Sequence, residues 1–210
     1  MTPTETLKAR LAECPLVAII RGVTPGEAEA IGAALWEVGL RIVEVPLNSP
    51  EPFASIERLA RSLGDRALVG AGTVLDAADV ARVKDAGGQV IVSPNTHPPV
   101  IEAAVAAGMV SLPGYFTPSE AFDAIRAGAT GLKLFPAEGA SPAVLKGQRA
   151  VLPKDVPVLV VGGVKPDTMQ PWLDAGADGF GLGGGLYVPG QSAEETYAKA
   201  RAYVAGLPAR

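Results

Sequence analysis

The sequence is poor in the residues that most often bind metals and form disulfides. Its 210 residues include one histidine and one cysteine. Cys14 cannot form a disulfide within the chain, and zinc or iron centres usually draw on several histidine or cysteine side chains. We therefore expect no internal disulfide, no metal and no other cofactor.

Long apolar segments and an excess of basic residues are also missing. No run approaches the roughly 18 consecutive apolar residues of a membrane span, and the polar start MTPTETLKARLAE lacks the apolar core of a signal peptide. The chain has 18 Lys and Arg against 22 Asp and Glu, a net charge of -4, which gives no general footprint for nucleic acid. These absences predict a cytoplasmic protein that binds neither membranes nor nucleic acids.

What the sequence does contain is a series of short runs rich in valine, isoleucine and leucine. They begin roughly 20 to 27 residues apart, the length of one strand–helix unit with short loops. Because they are continuous rather than alternating, they are typical of strands buried on both faces. The runs are LVAII (16–20), RIVEV (41–45), ALVG (67–70), QVIV (89–92), MVSL (109–112), TGLKLF (130–135), PVLVV (157–161) and DGFGLG (178–183).

Segments with helical spacing lie between these runs, for example over 25–38 and 117–127. Glycine follows their ends in EVGL, DAGG, AAGM, RAGA and DAGA, where a left-handed residue often terminates a helix. Signals for helix starts are Thr24-Pro25, Ser49-Pro50, Asp76, Thr117-Pro118 and Lys165-Pro166-Asp167. Eight strand–helix units after a short helix near 3–13 favour an α/β fold, a closed (β/α)8 TIM barrel, in a single domain over 1–210.

Two charged residues interrupt the predicted strands, and barrel chemistry belongs at the C-terminal strand ends. Glu44 interrupts the second run and Lys133 the sixth. Lys133 is compatible with a structural ion pair or a side chain that reaches the rim. It is also compatible with a desolvated, neutral amine that attacks a carbonyl. Glu44 is either an ion-pair partner or a proton shuttle, and the two residues together suit Schiff-base chemistry.

Glycine-rich segments follow the last two predicted strands. VVGGVKP (160–166) and GLGGGLY (181–187) lie where the barrel fold usually binds phosphate. Glycine exposes backbone N–H groups there and lets an anion approach closely. Tight turns without a ligand are the alternative.

Other residues at strand ends carry weaker signals. Arg21 is placed to bind a carboxylate or to form a rim salt bridge. Thr73 either holds a substrate oxygen or caps the helix that starts near Asp76. Pro94 and Phe135 are expected in the cavity wall, and His97 at a helix start is expected to be structural.

These motifs together resemble a known enzyme family over nearly the whole chain. VEVPLNSP, VGAGTV, SPN, PGYFTPSEA, GLKLFPAE, VVGGV and GLGGGLY are similar to the class I aldolases of 2-keto-3-deoxy-6-phosphogluconate and 2-keto-3-deoxy-6-phosphogalactonate. The resemblance implies a homotrimeric barrel that cleaves a phosphorylated keto sugar acid to pyruvate and D-glyceraldehyde 3-phosphate.

The resemblance also implies roles for individual residues. Lys133 matches the Schiff-base lysine and Glu44 the proton-transfer glutamate, while Thr73 matches the threonine of GAGT. The phosphate-loop glycines fall on Gly162, Gly163, Gly183 and Gly184.

Differences within the family favour its galactonate branch. Gluconate members typically have an arginine at the place of Asn48 and a threonine at the place of Val161, and Arg21 fits the galactonate pattern. Two departures are the GGG of the last loop, where members often have serine, and FPAE, which resembles gluconate members. A gluconate or dual-specificity aldolase, a phosphosugar isomerase and a non-catalytic phosphosugar-binding barrel are the alternatives.

Overall fold

The computed structural model describes residues 1–208, so residues 209 and 210 of the predicted domain lie outside the described residues. Its strands are β1 Leu16–Ile19, β2 Ile42–Pro46, β3 Leu68–Gly72, β4 Val90–Val92, β5 Val110–Leu112, β6 Gly114–Tyr115, β7 Leu132–Leu134, β8 Val158–Val161 and β9 Gly179–Leu182. Its helices are α1 Pro3–Glu13, α2 Pro25–Val38, α3 Pro52–Leu63, α4 Ala77–Asp85, α5 Pro98–Ala106, α6 Pro118–Arg126, α7 Pro142–Arg149, α8 Met169–Asp174 and α9 Ala193–Ala205.

The strands form one parallel sheet that closes on itself. Their order is β5-β4-β3-β2-β1-β9-β8-β7-β6, and β5 and β6 are two halves of the fifth barrel strand. Pro113 separates these halves because it has no N–H for the ladder. Its carbonyl still accepts a hydrogen bond from the Lys133 N–H at 2.9 Å, which continues the pairing toward β7. The predicted (β/α)8 barrel is therefore confirmed, and the fifth strand extends past its predicted end at 112.

Two apolar layers hold the barrel together. Inward side chains such as Val17, Ile42 and Leu159 fill the barrel, and Leu7 and Leu11 of α1 pack against them. The outward side chains of the strands pack against the surrounding helices in a second, larger cluster. A strand that is apolar on both faces fits this arrangement, since one face meets each layer. The predicted N-terminal helix thus contributes to the interior of the barrel.

Most of the helix starts agree with the sequence signals. Thr24 and Thr117 begin α2 and α6 with capping boxes, and the Asp76 side chain accepts a hydrogen bond from the Ala78 N–H at 2.9 Å. The Lys165-Pro166 signal begins a short 3-10 turn that leads into α8. Within the described residues, no helix has the length and apolar character needed to cross a membrane.

The prediction of a helix start at Ser49-Pro50 is wrong. Helix α3 begins at Pro52, after Glu51, whose φ is 41°. The Ser49 hydroxyl instead accepts a hydrogen bond from the Gly22 N–H at 2.9 Å. This bond ties the loop after β2 to the loop after β1, so the serine serves the rim of the barrel rather than the helix.

Candidate active site

A cavity of about 540 Å³ opens at the C-terminal ends of the strands. Its floor consists of inward side chains near the strand ends, and its walls are the loops that follow β1, β3, β4, β7, β8 and β9. Parallel strands around a barrel bring their C-terminal ends together, so residues far apart in sequence share this space. The two charged strand residues singled out from the sequence both line it.

Lys133 and Glu44 reach the cavity from opposite sides of the barrel. Four steps around the sheet separate β2 from β7 in either direction, once β5 and β6 are taken as one strand. The Glu44 side chain is 2 % exposed and that of Lys133 is 7 % exposed. Among the described residues the two groups form no ion pair, and Glu44 Oε2 has no hydrogen-bond partner. The structural ion pair considered from the sequence is therefore not formed.

Burial shifts both groups toward their neutral forms. Desolvation raises the pKa of Glu44 from 4.5 to about 7, although the positive charges of Lys133 and Arg21 oppose that rise. Desolvation also lowers the pKa of Lys133, and the charge of Arg21 acts in the same direction while that of Glu44 opposes it. The Lys133 Nζ lies 4.6 Å from the centre of the Phe135 ring, which forms the adjacent wall. A neutral amine is a nucleophile, and an acid with a pKa near 7 both takes and returns a proton.

Gly72, the last residue of β3, makes room for the Glu44 carboxyl group. A side-chain carbon built on Gly72 would lie 1.8 Å from Glu44 Oε2. Any larger residue at this position would therefore displace the carboxyl group. The GAGT motif thus contributes space for the acid as well as the threonine that follows it.

We predict that Glu44→Gln changes how the stability of the protein depends on pH. Between pH 4.5 and about 7, the folded chain keeps a proton on Glu44 that the unfolded chain has released. The parent protein therefore loses stability as pH rises through this window, and the glutamine variant does not. The unfolding free energy of the variant relative to the parent should rise by on the order of 2 kcal/mol between pH 5 and pH 8. Urea unfolding at both pH values measures this difference.

Glu57→Gln, at an exposed position on α3, provides the matched control and should show no such pH dependence. If the unfolding free energies of the Glu44 variant and the parent differ by the same amount at pH 5 and at pH 8, the pKa of Glu44 is not raised.

Arg21, Asn48 and Thr73 meet on the cavity rim after three neighbouring strands. The Arg21 guanidinium donates hydrogen bonds to Asn48 Oδ1 and, at 3.5 Å, to Thr73 Oγ1. Arg21 forms no salt bridge within residues 1–208, so that alternative is wrong. Asp76 rather than Thr73 caps α4. Asn48 touches the site through Arg21, whereas Arg21 and Thr73 line the cavity themselves.

The glycine loops after β8 and β9 form one side of the cavity. Gly162 and Gly163 have φ values of 118° and 63°, a backbone conformation that other residues rarely adopt. Apart from the adjacent residues of the chain, no atom lies within 4 Å of the position that a side-chain carbon would occupy on Gly183 or Gly184. Among the described residues, the N–H groups of Gly163 and Gly184 have no hydrogen-bond acceptor. The loops therefore present unused donors in a setting suited to an anion.

Pro94 and Phe135, which were predicted for the cavity wall, line it, and so does Val161 at the end of β8. His97 precedes α5 as its N-cap residue, and Cys14 is buried at the end of α1. The described part of the chain contains no group of three or more His, Cys, Asp or Glu side chains suited to hold a metal ion.

Several cavity residues were not predicted from the sequence, among them Glu138, Lys165, Tyr187 and Tyr203. The Tyr203 hydroxyl donates to the Val164 carbonyl at 2.9 Å and so holds the loop after β8. Tyr203 lies on α9, where no strand-end signal marks it. Glu138 follows the lysine strand in FPAE, and its nearness to the glycine loop depends on how β7 and β8 are placed.

The chain matches the family model described as KDPG and KHG aldolase over residues 7–201. A relative from Escherichia coli (strain K12), named 2-dehydro-3-deoxy-6-phosphogalactonate aldolase, is 48% identical over 190 residues, 90% of this chain and 93% of the relative.

Two solved structures have the same fold. One, described as a native KDPGal structure, is 47% identical with a TM-score of 0.91 and covers 92% of this chain and 94% of the other. The second is a cube-shaped cage designed by fusing symmetric oligomeric domains. It is 47% identical with a TM-score of 0.90 and covers 91% of this chain and 71% of the other.

Proposed function

The chain belongs to the KDPG and KHG aldolase family, and from this premise we propose that it cleaves 2-dehydro-3-deoxy-6-phosphogalactonate to pyruvate and D-glyceraldehyde 3-phosphate. The observation that carries the proposal is the buried Lys133 facing a cavity opposite the buried Glu44. A lysine with a lowered pKa is the nucleophile that a class I aldolase needs. No metal has a role in this proposal, because a protonated imine on Lys133 supplies the electron sink.

The reaction begins when the neutral Lys133 amine attacks the C2 carbonyl of the keto acid. Loss of water gives an iminium ion. The C3–C4 bond then breaks, and its electron pair moves into the enamine that forms between C2 and C3. Desolvation in the barrel favours the unprotonated amine because it lowers the pKa of Lys133. Desolvation also disfavours the iminium cation, and this penalty ends when the neutral enamine forms.

Glu44 handles the protons of this reaction. Its carboxylate, directly or through one water, takes the proton of the C4 hydroxyl as the aldehyde leaves. It then returns a proton to C3 of the enamine, and hydrolysis of the imine releases pyruvate and restores the Lys133 amine. A pKa of about 7 lets one group perform both transfers near neutral pH.

The two ends of the substrate are assigned to different loops of the rim, the phosphate end to those after β8 and β9 and the carboxylate end to the loop after β1. We assign the phosphate group to the N–H groups of the loops at Gly162, Gly163, Gly183 and Gly184, because these loops offer donors without a counter-charge of their own. We assign the carboxylate to Arg21, which Asn48 and Thr73 orient. Binding energy at these ends positions C2 near Lys133.

Of the two C4 epimers, we propose that the enzyme prefers the galactonate form. Asn48 and Val161 occupy the positions where the gluconate members of the family typically have arginine and threonine. We predict that kcat/KM for 2-dehydro-3-deoxy-6-phosphogalactonate exceeds that for the gluconate epimer by about tenfold or more. The rate of pyruvate release from each epimer measures this ratio. A reversed ratio would place the chain in the gluconate branch, and release from neither epimer would favour an isomerase or a binding protein.

We also propose that three copies form the working enzyme in the cytoplasm. The similar domain in the designed cage comes from a symmetric oligomer, which supports an assembly of identical chains. A phosphorylated substrate stays inside the cell because its charge prevents it from crossing a bilayer.

A further inference from the structure

Glu138 lies against the loop to which we assign the phosphate group. It is exposed, on the short turn Ala137–Gly139 that follows β7. A side-chain carbon built on Gly162 would lie 2.1 Å from Glu138 Oε2, and one built on Gly163 would lie 2.9 Å from Glu138 Cγ. The carboxylate therefore occupies the space directly above both glycines.

The charge of Glu138 is not neutralised by a neighbour. Within residues 1–208 its carboxylate forms neither a salt bridge nor a hydrogen bond. Lys165 lines the same cavity but makes no ion pair with it. An unpaired anion thus lies on a surface whose N–H donors are suited to a second anion. Two negative charges a few ångströms apart repel each other, and phosphate carries nearly two charges at neutral pH.

We propose that Glu138 lowers the affinity of the phosphate subsite for its ligand by competing for the same space. In the free protein its carboxylate covers Gly162 and Gly163, and a phosphate group must displace it to reach the loop. This inference rests on the proposed function, because it takes the loop as the phosphate site. Glu138 thus weakens binding of the phosphorylated end and leaves imine formation at Lys133 unchanged.

The test is Glu138→Gln, which keeps the size of the side chain and removes its charge. At low ionic strength we expect the Kd of inorganic phosphate, measured by calorimetry, and the KM of the phosphorylated substrate to fall by about fivefold to thirtyfold. We expect the gain to shrink as salt is added and kcat to change little. Borohydride trapping of pyruvate on Lys133 should remain at the parent level.

Glu102→Gln is the matched control, since Glu102 is exposed on α5 away from the cavity. It should leave both constants unchanged. Glu138→Ala, which also removes the side-chain contact, should bind phosphate at least as tightly as the glutamine variant. If both Glu138 variants bind phosphate no more tightly than the parent protein, the proposal is overturned. Failure of the parent protein to trap pyruvate would instead overturn the proposed function, and the phosphate comparison would still test Glu138.

Discussion

Replacing Lys133 by alanine is expected to lower kcat for cleavage by on the order of 10⁴-fold or more. The reaction has no imine without this amine, and the C3–C4 bond then has no acceptor for its electrons. Lys133→Arg should be equally inactive, because it keeps a positive charge but has no nucleophilic amine. A coupled assay of pyruvate release measures both variants.

Lys146→Ala is the matched control for this loss. Lys146 is exposed on α7, outside the residues that line the cavity, and its loss should leave turnover at the parent level. Far-ultraviolet circular dichroism confirms that each variant is folded. A folded Lys133→Ala protein with a tenth or more of the parental kcat would show that the amine is not the nucleophile.

Replacing Glu44 by glutamine is expected to lower kcat by roughly 100-fold or more. The amide has nearly the same size as the acid, so the shape of the cavity is kept, but it cannot accept or return a proton. Substrate affinity should change little because the carboxylate and phosphate ends bind elsewhere. Steady-state kinetics with the phosphorylated keto acid separates the two effects as a loss in kcat with a nearly constant KM.

The matched control is the same substitution at an exposed glutamate. Glu57→Gln removes an exposed carboxylate from α3 and should not alter kcat. The Glu44 variant should also lose the rise in rate that accompanies ionisation of a group with a pKa of about 7. A near-normal kcat in Glu44→Gln would remove Glu44 from the proton-transfer role.

The barrel and its two buried charged residues could be predicted from the sequence for one physical reason. Strands buried on both faces must be apolar, so Glu44 and Lys133 stand out as costly interruptions. Their meeting in one cavity follows from the closure of a parallel barrel, which collects the C-terminal strand ends. The glycine loops after β8 and β9 were likewise evident because they follow strands directly.

Features that depend on contacts between distant loops could not be predicted from the sequence. Ser49 looks like a helix cap, but its hydroxyl is used by the Gly22 N–H across the rim. The interruption at Pro113 leaves the barrel closed because its carbonyl and those of neighbouring residues still accept hydrogen bonds from the strand of Lys133. The position of Glu138 above Gly162 depends on the relative placement of β7 and β8. Local sequence patterns do not predict which distant loops come into contact.

The central claim, imine chemistry at Lys133, is tested most directly by borohydride reduction in the presence of pyruvate, followed by mass spectrometry of the digested chain. We predict a pyruvate-derived adduct on the peptide that contains Lys133, and none on that peptide when pyruvate is omitted. Lys165 also lines the cavity, so the fragment spectra must assign the modified lysine. A folded protein that gives no adduct with excess pyruvate, or one modified at another lysine alone, would contradict the account.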